Sequence, residues 1–127
     1  VVQRVARRIG NNRGDETMSD SQLGVLFQLE KKGDSFPGEL AEQEHVSPPS
    51  MNRTLNGLEE RGLVRRDPSL EDARKVVVSL TDAGHELIRE TRRLRTAWFS
   101  RRLAELDPEE RAALAEVVPI LYRIADA

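Results

Sequence analysis

Residues 36–80, FPGELAEQEHVSPPSMNRTLNGLEERGLVRRDPSLEDARKVVVSL, read as two short helical patterns, a turn, and two strands around a polar loop. The second helix begins at Ser47, whose hydroxyl suits an N-cap, with Pro48 at the first helical position, where a missing N–H is no loss. Gly62 supplies its stop. Met51, Leu55 and Leu58 recur at helical spacing and so form one buried stripe. The opposite face carries Pro49, Arg53 and Asn56, flanked by Ser50 and Asn52.

The first helix of the pair spans about 37–44, with Leu40 and the small Ala41 facing inward to permit a close helix–helix approach. His45 and Val46 make the turn. After Gly62, LVRRD and RKVVVSL have strand composition and enclose the polar loop PSLEDA. The reading is a winged helix-turn-helix: mainly α, with a small β-hairpin wing. Its exposed helix face suits a major groove, because Arg forks onto guanine O6 and N7, Asn pairs with adenine N6 and N7, and Ser reaches phosphate. Periodicity by itself would favour a plain solvated face; the adjoining turn and hairpin shift the balance to the groove.

ELAEQEHVSPPSMNRTLNGLEERGLVRR followed by DARKVVVSLTDAG is similar to the core signature of the MarR family of bacterial regulators. Three pieces at fixed spacing carry the resemblance: Leu58-Glu59 with Gly62-Leu63-Val64 and Arg66; Asp72-Ala73-Arg74; and Leu80-Thr81 with Gly84. It implies a single domain over 1–127, with a DNA-binding winged helix at about 19–80 and dimerisation helices at about 1–10 and 81–127. It also implies a transcriptional regulator, expected to be a repressor, acting as a homodimer on palindromic double-stranded DNA and released by a small aromatic or phenolic acid. The expected DNA-binding set is Ser47, Pro49, Ser50, Asn52, Arg53 and Asn56 on the helix, and Asp72, Arg74 and Lys75 on the wing. Arg74 is expected to enter the minor groove with the Asp72 carboxylate steering it. Two positions depart from the family pattern. Phe36 stands where a Ser or Thr cap is common, so capping falls to Ser35 or to Glu39 reaching back, and Glu44 takes an often apolar position.

A chain of 127 residues with 38% hydrophobic content fits one domain with a modest core. The net charge of -2 argues against a globally basic nucleic-acid binder, so distribution decides. Residues 15–46 carry eight acids and two bases, whereas residues 47–80 carry six bases and five acids, a local charge of +1 that two symmetry-related copies would double. The absence of cysteine removes disulfides, thiol switches and thiolate metal sites. No apolar run approaches about 18 residues, and VVQRVARRIG lacks a long apolar core, so neither a membrane span nor a secretory signal is expected and the cytoplasm follows.

Val2, Val5, Ala6 and Ile9 share a helical face among arginines, and Gly10 to Gly14 ends it. The pattern is suited more to packing against a partner element than to DNA contact, although four bases and no acid before Asp15 keep the latter open. Ser19 with Gln22 forms a capping box opening a broadly apolar helix to Gly33 that backs the motif. From Thr81, another good cap, a pattern free of Gly and Pro after Gly84 continues to about Leu106, a rod of roughly 39 Å. Its apolar side, Leu87, Ile88, Leu94, Trp98 and Phe99, is too long for one small unit to bury, so part of it is expected to meet a second subunit. The last helix opens on Asp107-Pro108 with Glu110 at the capping-box site. It carries Leu114, Val117, Val118, Leu121 and Ile124, and is expected to kink or locally break at Pro119.

Little else offers chemistry. His45 and His85 are the only histidines and lie 40 positions apart, so a zinc site would need carboxylates gathered by folding, and no metal or cofactor is expected. No Gly-rich phosphate loop, H-E-x-x-H or G-x-S-x-G occurs, leaving an enzyme reading without support. A winged-helix protein-interaction module that binds no DNA is the alternative to the regulator. Arg53 and Arg74 favour the regulator, since a protein-docking face would more often show exposed aromatics.

Overall fold

The computed structural model describes residues 1–127. In chain order it contains α1 (Val2–Gly10), α2 (Asp20–Lys32), α3 (Pro37–Gln43), α4 (Pro48–Glu60), β1 (Val64–Pro68), β2 (Val76–Leu80), α5 (Asp82–Ala104) and α6 (Pro108–Ala125). Four of the six helices start on side-chain caps: an oxygen of Ser19, Ser47, Thr81 and Asp107 accepts from the N–H three residues on. Each such cap satisfies an otherwise orphaned donor and contributes about 1 kcal/mol. At α3 the cap works from the other side, because Glu39 Oε1 accepts from the Phe36 N–H at 2.9 Å while Ser35 is occupied elsewhere.

α2 is the central element. Leu23, Val25, Leu26 and Leu29 are buried along it, meeting Leu40 and Ala41 of α3, Met51, Leu55 and Leu58 of α4, Val78 of β2 and Ile88 of α5 in one apolar core. The chain leaves α3 through His45, whose φ of 55° is the left-handed conformation that turns it sharply into α4. Gly62 at φ 72° closes α4, a position where a β-carbon would be strained.

β1 and β2 pair antiparallel with Val64 opposite Leu80 and Pro68 opposite Val76, so the wing loop is residues 69–75. Pro68 therefore ends the strand and does not open the loop as expected; it lies at the tip of a two-stranded hairpin, where a missing donor costs little. The sheet also gains a partner that the sequence does not announce. Ser35 exchanges two backbone hydrogen bonds with Val78, at 3.1 and 2.8 Å, which ties the entrance of α3 to the wing.

α5 begins tightly against the hairpin and continues past the core. Gly84 is buried at this contact, where a β-carbon would stand 2.3 Å from the Leu63 carbonyl oxygen. Beyond Thr91, which is buried and accepts from the Gly14 N–H at 2.9 Å, the helix leaves the lobe and carries α1 along its flank. α6 lies apart, with every residue exposed. Of the kink or local break expected at Pro119, the break does not occur: α6 runs uninterrupted from Pro108 to Ala125. One proline removes a single N–H donor, and the turns on either side keep their own bonds.

Candidate nucleic-acid interface

The apolar stripe of α4 fixes which of its residues face outward. With Met51, Leu55 and Leu58 buried, Pro49, Asn52, Arg53 and Asn56 are exposed and Ser50 is half-buried. Ser47 Oγ accepts from the Ser50 N–H at 3.3 Å and the two hydroxyls lie 3.1 Å apart, while Arg53 Nη2 donates to Ser50 Oγ at 3.2 Å. The first two turns thus present a linked row of hydroxyl and guanidinium with no carboxylate in it. Such a row can meet phosphate oxygens or base acceptors without a competing internal ion pair.

One turn further, Asn56 is not free. Its Oδ1 accepts from Arg66 Nη2 at 2.6 Å, and the same guanidinium forks onto Glu59 at 3.0 and 3.4 Å. These bonds from Arg66 hold the Glu59 carboxyl below its ordinary range. Sequence reading takes Arg66 as a charge and as part of the family pattern but not as a partner of Asn56, because no periodic pattern links a helix residue to a strand residue ten positions on.

The wing forms a second cationic point. The Arg74 side chain is 91% exposed, and Asp72 Oδ1 accepts from its backbone N–H at 3.0 Å and its Nε at 3.2 Å. The side-chain bond is the larger influence holding Asp72 low, with the backbone bond next. Lys75 Nζ sits 5.3 Å from the centre of the Phe36 ring, a cation–π contact that gives this unusual residue a role at the wing base. The expected contact residues therefore fall into local groups: Ser47, Ser50 and Arg53; Asn56 with Arg66; Asp72 with Arg74; and Lys75 on Phe36.

Behind this face, α1, α2 and α5 enclose a crevice of about 570 Å³ lined by Ala6, Arg7, Arg13, Leu23, Phe27 and Arg95 among others. The Arg95 guanidinium lies 5.3 Å from the Phe27 ring centre, and its Nε is buried without a partner. Burial, followed by the like charge of Arg13, pushes the Arg95 pKa down. The crevice thus sets one unpartnered cationic donor, Arg95 Nε, beside the Phe27 ring, while Arg13 in its wall is already bonded to Asp20 and to the carbonyls of Gly10 and Met18.

A helix-turn-helix with an exposed polar face, backed by a hairpin whose loop presents an arginine, defines a winged-helix protein of the nucleic-acid-binding class. The MarR family model matches residues 18–76. An HTH-type transcriptional regulator of Mycobacterium tuberculosis, MT0903.1, is 37% identical over 126 residues, covering 99% of this chain and 88% of its own length. The HTH-type transcriptional repressor MdtR of Bacillus subtilis is 28% identical over 126 residues, with 99% and 81% covered. The crystal structure of Streptococcus pneumoniae FabT in complex with DNA shares the fold with a TM-score of 0.75 at 22% identity, covering 99% of this chain and 98% of that one. The chain belongs to the MarR family of DNA-binding transcriptional regulators. No helix is long and apolar enough to cross a membrane.

Proposed function

We propose that this chain is a homodimeric repressor that binds a palindromic operator, with the winged helix of residues 19–80 on DNA and residues 1–10 and 81–127 forming the dimer. The observation that carries the DNA reading is the pair of exposed arginines, Arg53 on the outer face of α4 and Arg74 on the wing loop. Each lies beside donors or a steering carboxylate, and neither is buried in the fold. Ser47, Pro49, Ser50, Asn52, Asn56, Asp72 and Lys75 complete the proposed contact surface. Repression is supported by the name of the relative MdtR. The dimer is supported by α6, whose Leu121, Tyr122 and Ile124 are exposed by 51 to 67%.

The effector proposed is a small aromatic acid seated in the crevice of α1, α2 and α5, its carboxylate toward Arg95 and its ring against Phe27. By holding one spacing of the two lobes it would disfavour the DNA-fitting one, with a coupling of about 1 to 3 kcal/mol. Selection of bound sites from random duplex, repeated with candidate aromatic acids, tests the whole reading. A two-fold symmetric site whose affinity falls steeply with salt is expected. Binding with no sequence preference would overturn it, and the protein-interaction alternative would then gain support.

A further inference from the structure

We propose that Arg66 is a positioning residue that locks the Asn56 side-chain amide with its NH₂ end outward, so that Asn56 reads DNA as a hydrogen-bond donor and excludes cytosine from the base position it faces. This rests on the proposed DNA reading of α4. Arg66 Nη2 and Asn56 Oδ1 are 2.6 Å apart. A guanidinium has five donors and no acceptor, so the amide atom turned toward it is the oxygen, and this orientation follows from chemistry alone.

The lock has a rigid base. Arg66 sits opposite Val78 in the hairpin, Val78 is fully buried, and its backbone is bonded to Ser35 on the other side. Glu59, one turn beyond Asn56, takes the fork of the same guanidinium, so Arg66 is held from two sides and Asn56 from one. An unheld asparagine can turn either end of its amide to a base. It then accepts cytosine N4–H₂ as readily as it donates to guanine O6, thymine O4 or a purine N7. The oxygen keeps a second lone pair, but with that atom turned back toward Arg66 the NH₂ is the end presented outward, where a cytosine amino group would meet it donor to donor. Arg66 spends its Nε and Nη2 donors on these two acceptors, which fixes the plane of its guanidinium against α4.

The test is sequencing of sites selected from random duplex by the native protein and by Asn56→Ala, Arg66→Met, Asn56→Asp and Arg53→Ala. The position assigned to Asn56 is the one that loses preference in Asn56→Ala. There the native protein should disfavour cytosine by about tenfold. Arg66→Met should admit cytosine at that position while leaving the positions that depend on Arg53 intact. Asn56→Asp presents an acceptor and should invert the preference toward cytosine. Cytosine enrichment by the native protein, or an Arg66→Met profile identical to native, overturns the proposal. Should Arg66→Met fold poorly, ¹⁵N relaxation of the Asn56 side-chain amide in the native protein decides. Order near the rigid-backbone value of about 0.85 is expected, and a value below about 0.6 overturns the lock. A changed profile for Arg53→Ala beside an unchanged one for Asn56→Ala sinks this proposal alone, whereas no change in either removes the DNA reading beneath it.

Discussion

The Arg61 guanidinium lies 3.1 Å from the Asp15 carboxylate, joining the end of α4 to the loop that leads into α2. The same Nη1 reaches Thr17 Oγ1 at 2.8 Å and Met18 Sδ at 3.3 Å, while Nη2 donates to the Thr17 carbonyl at 3.3 Å. From the other side Arg13 donates to the carbonyls of Gly10 and Met18 and to Asp20. Arg13 lines the crevice and Arg61 closes the proposed recognition helix, so residues 13–18 touch both. Arg13 and Arg61 thus bond to the same short segment, Arg13 to the Met18 carbonyl and Arg61 to Thr17 and the Met18 sulfur.

Arg61→Ala removes this clasp while leaving the outer face of α4 intact. Both partners are partly exposed, so the ion pair is discounted for screening and the expected loss is about 1 kcal/mol, or a Tm lower by about 3 to 5 °C. Base preference in site selection should stay unchanged. Thermal unfolding and selection together check this, and a changed preference would show that Arg61 belongs to the DNA face.

Asp15 also carries a pH signature. The Thr17 hydroxyl bond, then the Thr17 N–H and Arg61, hold its carboxyl below the ordinary 3.8. A carboxyl with a depressed folded-state pKa contributes fully above its unfolded pKa and loses that contribution as pH falls through the folded one. Asp15→Asn should therefore be less stable than native at neutral pH, with the gap narrowing below about pH 3.8. Urea unfolding of both proteins across pH reads this directly; a gap constant with pH would remove Asp15 as the cause.

Gly84→Ala places a methyl 2.3 Å from the Leu63 carbonyl oxygen and 3.1 Å from Leu80 Cδ2. The carbonyl belongs to the backbone and also accepts from the Thr81 N–H, so it has little room to yield. Forcing α5 off the hairpin should cost about 1 to 3 kcal/mol or more and tilt the wing. Chemical denaturation checks the loss. A variant as stable as native would mean that α5 can shift freely against the wing.

Gly84 marks the boundary of what the sequence reveals. Its place in the pattern Leu80-Thr81 with Gly84 is legible, but the reason, a carbonyl from 21 residues earlier, is not. Elements governed by nearest neighbours were readable: the caps at Ser19, Ser47, Thr81 and Asp107, the stripe of Met51, Leu55 and Leu58, and the stop at Gly62. Contacts between distant segments were not, because they leave no period. The Ser35–Val78 bridge is one residue long, the buried Thr91 takes its hydrogen bond from the backbone of Gly14, and Arg66 reaches Asn56 from a strand. The exposed row of α4 was legible as a face, whereas the amide held back within it was not.

The apolar side of α6 predicts the oligomeric state. Leu114, Val117, Val118, Leu121 and Ile124 lie along a helix exposed over its whole length, and Phe99 of α5 is exposed as well. Sedimentation should give about twice 14.3 kDa. Leu121→Glu combined with Ile124→Glu should give a monomer that keeps its winged helix, since neither residue touches the core. A native monomer persisting at micromolar concentration would sink both the dimer and the palindrome.

Arg53 and Arg74 should fail in different ways. Arg53 projects from the second turn of α4, tethered only to the Ser50 hydroxyl, an uncharged partner it can exchange for a base edge or a phosphate at little cost. In a dimer, two such helices can enter successive major grooves about 34 Å apart, so Arg53→Ala should relax preference at one or two positions per half-site. It should cost about 1 to 3 kcal/mol for each base pair that the guanidinium no longer reads. Arg74 stands on the wing loop with its Nε and backbone N–H both on Asp72, which aims the guanidinium while leaving it 91% exposed. A narrow A·T-rich minor groove concentrates negative potential, and an arginine there senses groove width more than base identity. Arg74→Ala should thus weaken binding to many sequences, lower the salt slope by about one per subunit and erode only a preference for flanking A·T tracts. Asp72→Asn keeps the charge of Arg74 but loosens its aim, so it should preserve the salt slope while weakening the A·T preference. Affinities for operator and random duplex across a salt series separate these outcomes. If both alanine variants bind both duplexes as tightly as native at every salt concentration, neither arginine touches DNA.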